Sequence, residues 1–164
     1  MKKILLVLFA VALVPSLLAQ GTGAGVQTAT VTLSAAQLQH LRASAVQLVP
    51  APGAGSFLNP LSIVAQYKFG TVSYGVPDGG QFSAAIGNVP TGINLAAAGF
   101  IDQVTNQIQI GGSAASPGFV PGWTWPQSAL ENQALVVSNN GGSEWTSGDG
   151  TVTITVIYTI VSLQ

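Results

Sequence analysis

The stretch TVTITVIYTIVSL, residues 151–163, carries the clearest strand signal in the chain and decides the predicted fold. Apolar side chains alternate with threonines along it, which is typical of a β-strand with one buried face. Ile157, Val161 and Leu163 then add apolar side chains to the second face. A strand that is apolar on both faces is buried on both. We therefore expect these three residues to be covered by another loop of the same chain or by a second subunit.

Weaker strand patterns precede this stretch and are separated by turn-rich sequence. They predict strands at 26–33, 46–48, 57–69, 81–86, 103–110 and 134–137, whereas 89–98 is ambiguous between a loop and a small helix. Pro60 fits an edge or a bulge near the start of its strand. One short helix should follow the first strand, because Ser34 and Gln37 have capping-box spacing and Leu38 and Leu41 share a helical face.

The segment LVPAPGAGSF, residues 48–57, contains two prolines and two glycines between strand-like sequences. It is not a phosphate-binding loop, because Ser56 follows Gly55 where such a motif needs Gly-Lys-Ser/Thr, and no helix pattern begins after it. The prolines stop strand pairing and the glycines let the backbone reverse. The segment is therefore predicted to be a corner of the β-structure.

Together these elements predict an all-β chain, an antiparallel β-sandwich of jelly-roll-like type with one short helix after the first strand. The sandwich should occupy residues 26–164 as a single domain, with a flexible lead-in over 20–25.

Residues 1–19 have the layout of a secretory signal peptide. Lys2 and Lys3 precede an apolar run that is too short to span a bilayer comfortably, and cleavage is expected after Ala19 or Ala24. We therefore predict that the mature form does not span a membrane. Its predicted location is extracellular, at the cell surface or in the periplasm.

Charge is scarce throughout the chain, at 5% of residues. Once the signal segment is removed, two basic residues face five acidic ones, which gives a net charge of −3. Such a surface offers no electrostatic footprint for nucleic acid. Because the chain also lacks cysteine, its stability must come from apolar burial and from subunit contacts rather than from disulfides.

Few residues are available for catalysis. The single histidine, His40, lies beside Arg42 without a carboxylate near it in sequence, and no G-x-S-x-G elbow occurs. The five acids are scattered through turn-rich sequence: Asp78, Asp102, Glu131, Glu144 and Asp149. We predict that the protein is not an enzyme and needs no cofactor.

Two groups of residues are candidate binding sites. Asn139, Asn140, Glu144 and Asp149 supply oxygen ligands of the kind that calcium takes, although a hairpin loop explains the same residues. Trp123 and Trp125 share a face if extended, and Trp145 lies in another loop. Exposed together, these indoles would stack on sugar rings; the competing interpretation is that they fill one end of the sandwich.

The sequence also resembles a family of small structural proteins from phage and prophage gene neighbourhoods. The resemblance lies in LSAAQLQHLRASAVQLVPAPGAGSFL (33–58), YKFGTVSYG (67–75), ENQALVVSNN (131–140), the SGDG turn (147–150) and the last strand. It implies a compact, virion-associated or otherwise structural β-sandwich without catalysis, and it carries no catalytic or ligand residue over. Ser56 departs from the lysine that the family often has there.

We therefore expect an exported, non-enzymatic structural or interaction module of virion-like or cell-surface type that forms a homo-oligomer. A surface glycan or another exported protein is a further possible partner. The alternative function is a carbohydrate-binding or adhesive module that uses the three tryptophans.

Overall fold

The computed structural model of the protein describes residues 25–112 and 124–164. Within these ranges the helices are α1 (Ala35–Gln39) and α2 (Gln127–Leu130). The strands are β1 (Gln27–Leu33), β2 (Val46–Val49), β3 (Ser56–Lys68), β4 (Tyr74–Gly75), β5 (Gln81–Ile86), β6 (Val89–Ala96), β7 (Gln107–Gly112), β8 (Leu135–Asn139), β9 (Thr146–Ser147) and β10 (Thr151–Ser162). The predicted signal segment, most of the lead-in and Trp123 lie outside the described residues.

Eight strands form two four-stranded sheets, with the order β1-β10-β3-β7 in sheet A and β2-β8-β5-β6 in sheet B. Strands β4 and β9 form a separate short pair. In the sandwich, β1 pairs antiparallel with β10, β2 with β8, β3 with β7 and β5 with β6. This nesting of the first strand with the last is that of a long hairpin rolled onto itself, which is a jelly roll. The predicted all-β, jelly-roll-like sandwich is therefore confirmed.

The core lies between the two sheets and follows from the alternation along β10. Val152, Ile154 and Val156 are at most 1% exposed, while the threonines between them face outwards. In register, Ile154 lies opposite Val31 of β1 and Ala65 of β3. Burying a side chain of this size contributes about 1.5–3 kcal/mol. The central strand of sheet A is thus held by apolar burial on one face.

The predicted bulge near Pro60 is confirmed. The register between β10 and β3 shifts after Ile157, which pairs with Ser62, while Tyr158 pairs with Pro60. Leu61 is therefore the extra residue on β3. Because the pairing of β3 with β7 ends at Ser62, Pro60 has a paired strand on only one side among the described residues, which is a position that tolerates proline.

Two parts of the sequence interpretation are corrected by the structure. Residues 89–96 form neither a loop nor a small helix but the edge strand β6, which alternates between buried and exposed positions. The strand predicted at 103–110 begins only at Gln107, since residues 101–105 form turns. The short helix α2 was not predicted.

The corner after β2 has the conformation that its glycines predict. Gly53 and Gly55 adopt φ values of 104° and 73°, in the left-handed region where a side chain would be strained. The segment is fastened from outside: the Glu131 carboxylate accepts from Gly55 N–H at 2.7 Å, and the Asn132 side-chain oxygen accepts from Gly53 N–H at 3.0 Å. Sequence that follows α2 thus fixes the corner.

Helix α1 begins as its capping box predicts. The Ser34 side chain accepts from Gln37 N–H, and the Gln37 side chain accepts from Ser34 N–H at 2.9 Å. Leu38 and Leu41 are fully buried, so the helix and the turn after it close one end of the sandwich. None of the helices in the described part of the chain is long and apolar enough to cross a membrane.

Candidate functional site

Aromatic side chains fill the end of the sandwich where β3 ends and β10 begins. The Trp145 and Phe82 rings lie with centroids 4.6 Å apart, and the chain of contacts continues through Phe100 and Tyr67 to Tyr74. Since Phe82 belongs to sheet B and Tyr67 to sheet A, these five residues, the aromatic cluster, tie the two sheets together. The Tyr74 hydroxyl donates to the Gly150 carbonyl oxygen at 2.7 Å, and burial raises the pKa of this phenol.

The three tryptophans do not form the surface platform that the carbohydrate-binding alternative requires. Trp145 is 1% exposed inside the aromatic cluster, so the expectation that it could bind a sugar is wrong for this residue. The competing interpretation, that it fills an end of the sandwich, is correct. Trp125 is 37% exposed, and Trp123 lies outside the described residues. The alternative therefore depends on these two residues alone.

The four residues of the calcium candidate are held in separate structural roles. Asn139 accepts from Gly141 N–H at 2.8 Å within its own turn, and Asn140 accepts from Gln81 N–H at 3.0 Å. The Glu144 carboxylate receives the backbone N–H groups of Arg42 and Ala43 at 3.0 and 2.7 Å. Their oxygens thus fix the loop after β8 to β5 and to the turn after α1.

Asp149, the fourth member, belongs to another loop. Its carboxylate accepts from Thr71 N–H at 2.7 Å, from the Thr71 hydroxyl at 2.6 Å and from Val72 N–H at 2.8 Å. Among residues 25–112 and 124–164, no three His, Cys, Asp or Glu side chains come together as metal ligands. The described acids therefore act mainly as anchors for loop backbone.

His40 is an exposed residue at the C-terminal end of α1, where its own N–H caps the helix. It lines a shallow depression together with Gln37 and Ser44. The lining residues include no carboxylate that could orient the imidazole as a general base. The structure thus gives His40 a capping role through its backbone N–H.

The anchoring carboxylates predict a dependence of stability on pH. Hydrogen bonds from Thr71 and Val72 lower the pKa of Asp149, and those from Gly55 and Gln127 lower the pKa of Glu131. A carboxyl with a lowered pKa in the folded state stabilises the fold fully above its ordinary value of about 4. That stabilisation is lost as the pH falls through the lowered pKa.

The variant Asp149→Asn should have a lower melting temperature than the wild type at neutral pH. The difference should shrink as the pH falls from about 5 to about 2, because the wild-type carboxyl then becomes protonated too. Thermal melts followed by circular dichroism over this range measure it. Asp78→Asn is the control, since Asp78 is an exposed residue for which no hydrogen bond is found within the described part of the chain. A difference of equal size at both ends of the pH range would contradict the anchoring role.

The outer face of sheet A is divided between a polar and an apolar half. On β1 and β10 the threonines pair across the strands, with hydroxyl oxygens 3.1 Å apart for Thr30 and Thr155 and 2.9 Å apart for Thr32 and Thr153. On the opposite edge, Ile108 and Ile110 of β7 are 69% and 71% exposed. Among the described residues, no other large apolar side chain that belongs to a strand is exposed.

These isoleucines lie beside further apolar surface. Ile110 pairs in register with the half-buried Val64 of β3, and Ile108 pairs with Gln66. We call Val64, Ile108 and Ile110 the edge patch. Strand β7 itself carries no charged residue, and Lys68 lies one position beyond its paired length.

The residues that the sequence nominated for self-association lie elsewhere on sheet A. Ile157 is half-buried opposite Thr28 and Ser62, and Val161 is half-buried opposite Phe57. Leu163 follows the end of β10, and its N–H donates to the Gly55 carbonyl oxygen at 2.8 Å. All three residues are therefore half-buried in the structure. Their role in self-association stays a prediction.

Sequence reasoning assigned Ile108 and Ile110 to a strand but not to a surface. The alternation in QIQIGG was visible, yet nothing in it shows that this strand lies at a sheet edge. The edge position comes from pairing β7 with β3 alone among the described residues.

No family model matches the chain, and no curated protein matches it. Among solved structures, the chain is similar to one from the capsid asymmetric unit of cyanophage Pam1, with 17% sequence identity. The likeness covers 86% of this chain and 89% of the other, with a TM-score of 0.45.

Proposed function

We propose that the protein is an exported, non-enzymatic structural module of virion-like or cell-surface type that associates with further copies of itself. The observation that carries the proposal is the exposure of Ile108 and Ile110 on an edge strand without charge. Edge strands of soluble proteins are usually protected by charge, proline or short length. An unprotected apolar edge is a contact surface or an aggregation hazard.

The low charge of the chain strengthens this argument. At 5% charged residues, the surface has little electrostatic repulsion to keep copies apart. The carboxylates of Glu131, Glu144 and Asp149 accept hydrogen bonds from loop backbone of the same chain. These carboxylates stabilise loops and are not grouped as an acid and a base across a cleft. A structural role fits this distribution better than a catalytic one.

Sedimentation velocity on the purified protein tests the proposal. We expect an oligomer, at least a dimer, at micromolar concentration, because isologous association is the simplest way to cover one apolar surface. Salt should weaken the oligomer little, since few charges are available to be screened. A monomer that persists to about 100 μM, a concentration at which any association tighter than about −5.5 kcal/mol would be visible, would overturn the proposal.

Export rests on the N-terminal sequence alone and has its own test. Expression of the full sequence in a secreting bacterial host should release protein whose first residue is Gln20 or Gly25. Intact mass spectrometry of the secreted material decides between the two cleavage sites. Recovery of uncleaved chain beginning at Met1 from the cytosol would refute export and leave the self-association proposal untouched.

A further inference from the structure

The four edges of the sandwich differ in how well they are protected. In sheet B, β2 has only four residues and β6 carries Pro90 on its exposed face. In sheet A, β1 has seven residues without charge or proline, but it presents threonines rather than large apolar side chains on its outer face. Only β7 combines a six-residue length, exposed isoleucines and no proline or charge within the described residues. Of these edges, β7 is the one suited to receive another strand.

A strand that pairs with β7 must be neutral and apolar at alternate positions. The backbone of an edge strand offers unpaired N–H and C=O groups, which any extended chain can satisfy. A charged side chain beside Ile108 or Ile110 would lose water without gaining an opposite charge. Strand β7 meets both conditions itself, since it carries no charge and has isoleucine at every second position.

Symmetry then limits the register. In an antiparallel pair, directly opposite residues have side chains on the same face of the sheet. Ile108 and Ile110 lie on the outer face, so each must be opposite a residue of the second copy that also lies on its outer face. The twofold axis must therefore pass through the position of one residue of β7 and not midway between two residues. An axis at Gln109 uses most of the strand. It places Ile108 of each copy opposite Ile110 of the other.

A second observation favours this register. The side-chain oxygen of Gln109 is buried and receives no hydrogen bond from the described residues. An unsatisfied buried polar atom of this kind is unfavourable by about 1–3 kcal/mol. An axis at Gln109 brings the side-chain amide of a second Gln109 next to it, with the two Cα atoms about 4.5–5.5 Å apart. That amide is a hydrogen-bond donor.

We propose that β7 pairs antiparallel with β7 of a second copy about a twofold axis at Gln109, which joins two copies of sheet A into one eight-stranded sheet. The proposal rests on the proposed function, because it names the surface through which the chain self-associates. Four isoleucines, two from each copy, then form a continuous apolar strip across the junction. The occupant of the edge is a second copy of this chain.

Charge substitutions test the contact. Ile110→Lys and Ile108→Lys should each raise the dimer dissociation constant at least about 100-fold, because the twofold axis places every substitution twice and sets two like charges close together. Val104→Lys is the matched control, since Val104 is 69% exposed like Ile108 but lies in the turn before β7. It should leave the dissociation constant unchanged. Circular dichroism melts establish that all three variants are folded.

Cross-linking tests the register. The chain has no cysteine, so a single introduced thiol reports one position. Gln109→Cys should form a disulfide-linked dimer on mild oxidation, because residues paired on the axis have Cα atoms within the range a disulfide spans. Thr30→Cys, on the opposite edge strand of the same sheet, should remain unlinked. Linkage through position 30 and not through 109 would overturn the proposal.

The outcomes separate this inference from the proposed function. If the wild type is an oligomer and neither lysine variant weakens it, the β7 pairing is wrong and self-association stands. If the wild type is a monomer whose β7 amides exchange slowly at every dilution, a segment of the same chain covers the edge and both proposals fail. A dimer that Ile110→Lys dissociates and Val104→Lys does not is the result expected.

Discussion

Replacing Trp145 with alanine should lower the free energy of unfolding by about 3–5 kcal/mol, the usual result of truncating a buried large aromatic side chain. The indole is 1% exposed and packs on Phe82 with ring centroids 4.6 Å apart. Its loss would leave a cavity at the end of the aromatic cluster, where sheet A and sheet B are joined. Urea unfolding followed by circular dichroism, with all variants at one protein concentration, measures the change.

Two further variants identify the cause. Trp145→Phe should lose less than the alanine variant, because it keeps a ring against Phe82 and removes an indole N–H that is buried without a partner among the described residues. Trp125→Ala should lose far less than Trp145→Ala, since that side chain is 37% exposed. If Trp125→Ala proved as damaging as Trp145→Ala, the assignment of the two indoles to surface and core would be wrong.

Gly150→Ala should lower the free energy of unfolding by about 1–3 kcal/mol, the range found when atoms are forced into a packed core. A Cβ atom at this position would lie 2.5 Å from Cε2 of Tyr67 and 2.7 Å from the Lys68 carbonyl oxygen. Neither neighbour moves easily, because one is backbone and the other is a ring only 2% exposed. The start of β10 would have to shift, which would disturb the hydrogen bond from the Tyr74 hydroxyl to the Gly150 carbonyl oxygen.

Gly25→Ala serves as the control for this substitution in the same urea assay. A Cβ atom there meets nothing within 4 Å, so its free energy of unfolding should stay within about 0.5 kcal/mol of the wild type. Equal stability of the Gly150→Ala and Gly25→Ala variants would show that the start of β10 has room for a Cβ atom at position 150.

The sequence predicts the fold class because its last strand is regular. Apolar residues alternate with threonines along the first half of β10, so its buried face can be assigned before any pairing is known. The capping box of Ser34 and the glycines of the corner are equally local signals, and each forms as predicted. Local chemistry of this kind is readable from neighbouring residues alone.

Strand β6 shows where such reading fails. Val89, Thr91, Ile93 and Leu95 are all buried, so an alternation is present in the sequence. Pro90 and Gly92 lie between them and suggest a loop. Thr91 is polar, so the sequence suggests that its side chain faces solvent rather than the core. The structure resolves the conflict, because the Thr91 hydroxyl donates to the Ala84 carbonyl oxygen at 2.8 Å and is satisfied inside the sheet. Only the neighbouring strand supplies that partner.

The candidate surface could not be found from the sequence for a similar reason. The apolar second face of its strand makes Ile157 a candidate for cover by a loop or a second subunit, and in the fold it is half-buried between two neighbouring strands. Ile108 looked ordinary, yet its strand lies at the edge of sheet A. Edge position depends on which strands pair across the whole chain, and that is a property of the rolled topology rather than of any segment.

Amide hydrogen exchange of β7, read at protein concentrations about tenfold above and about tenfold below the dimer dissociation constant, tests the central claim most directly. If copies associate through this edge, those amides of Gln107–Gly112 that point away from β3 exchange more slowly at the higher concentration, while the amides of β1, at the opposite edge of sheet A, do not change. Exchange of the β7 amides that is the same at both concentrations would contradict the account.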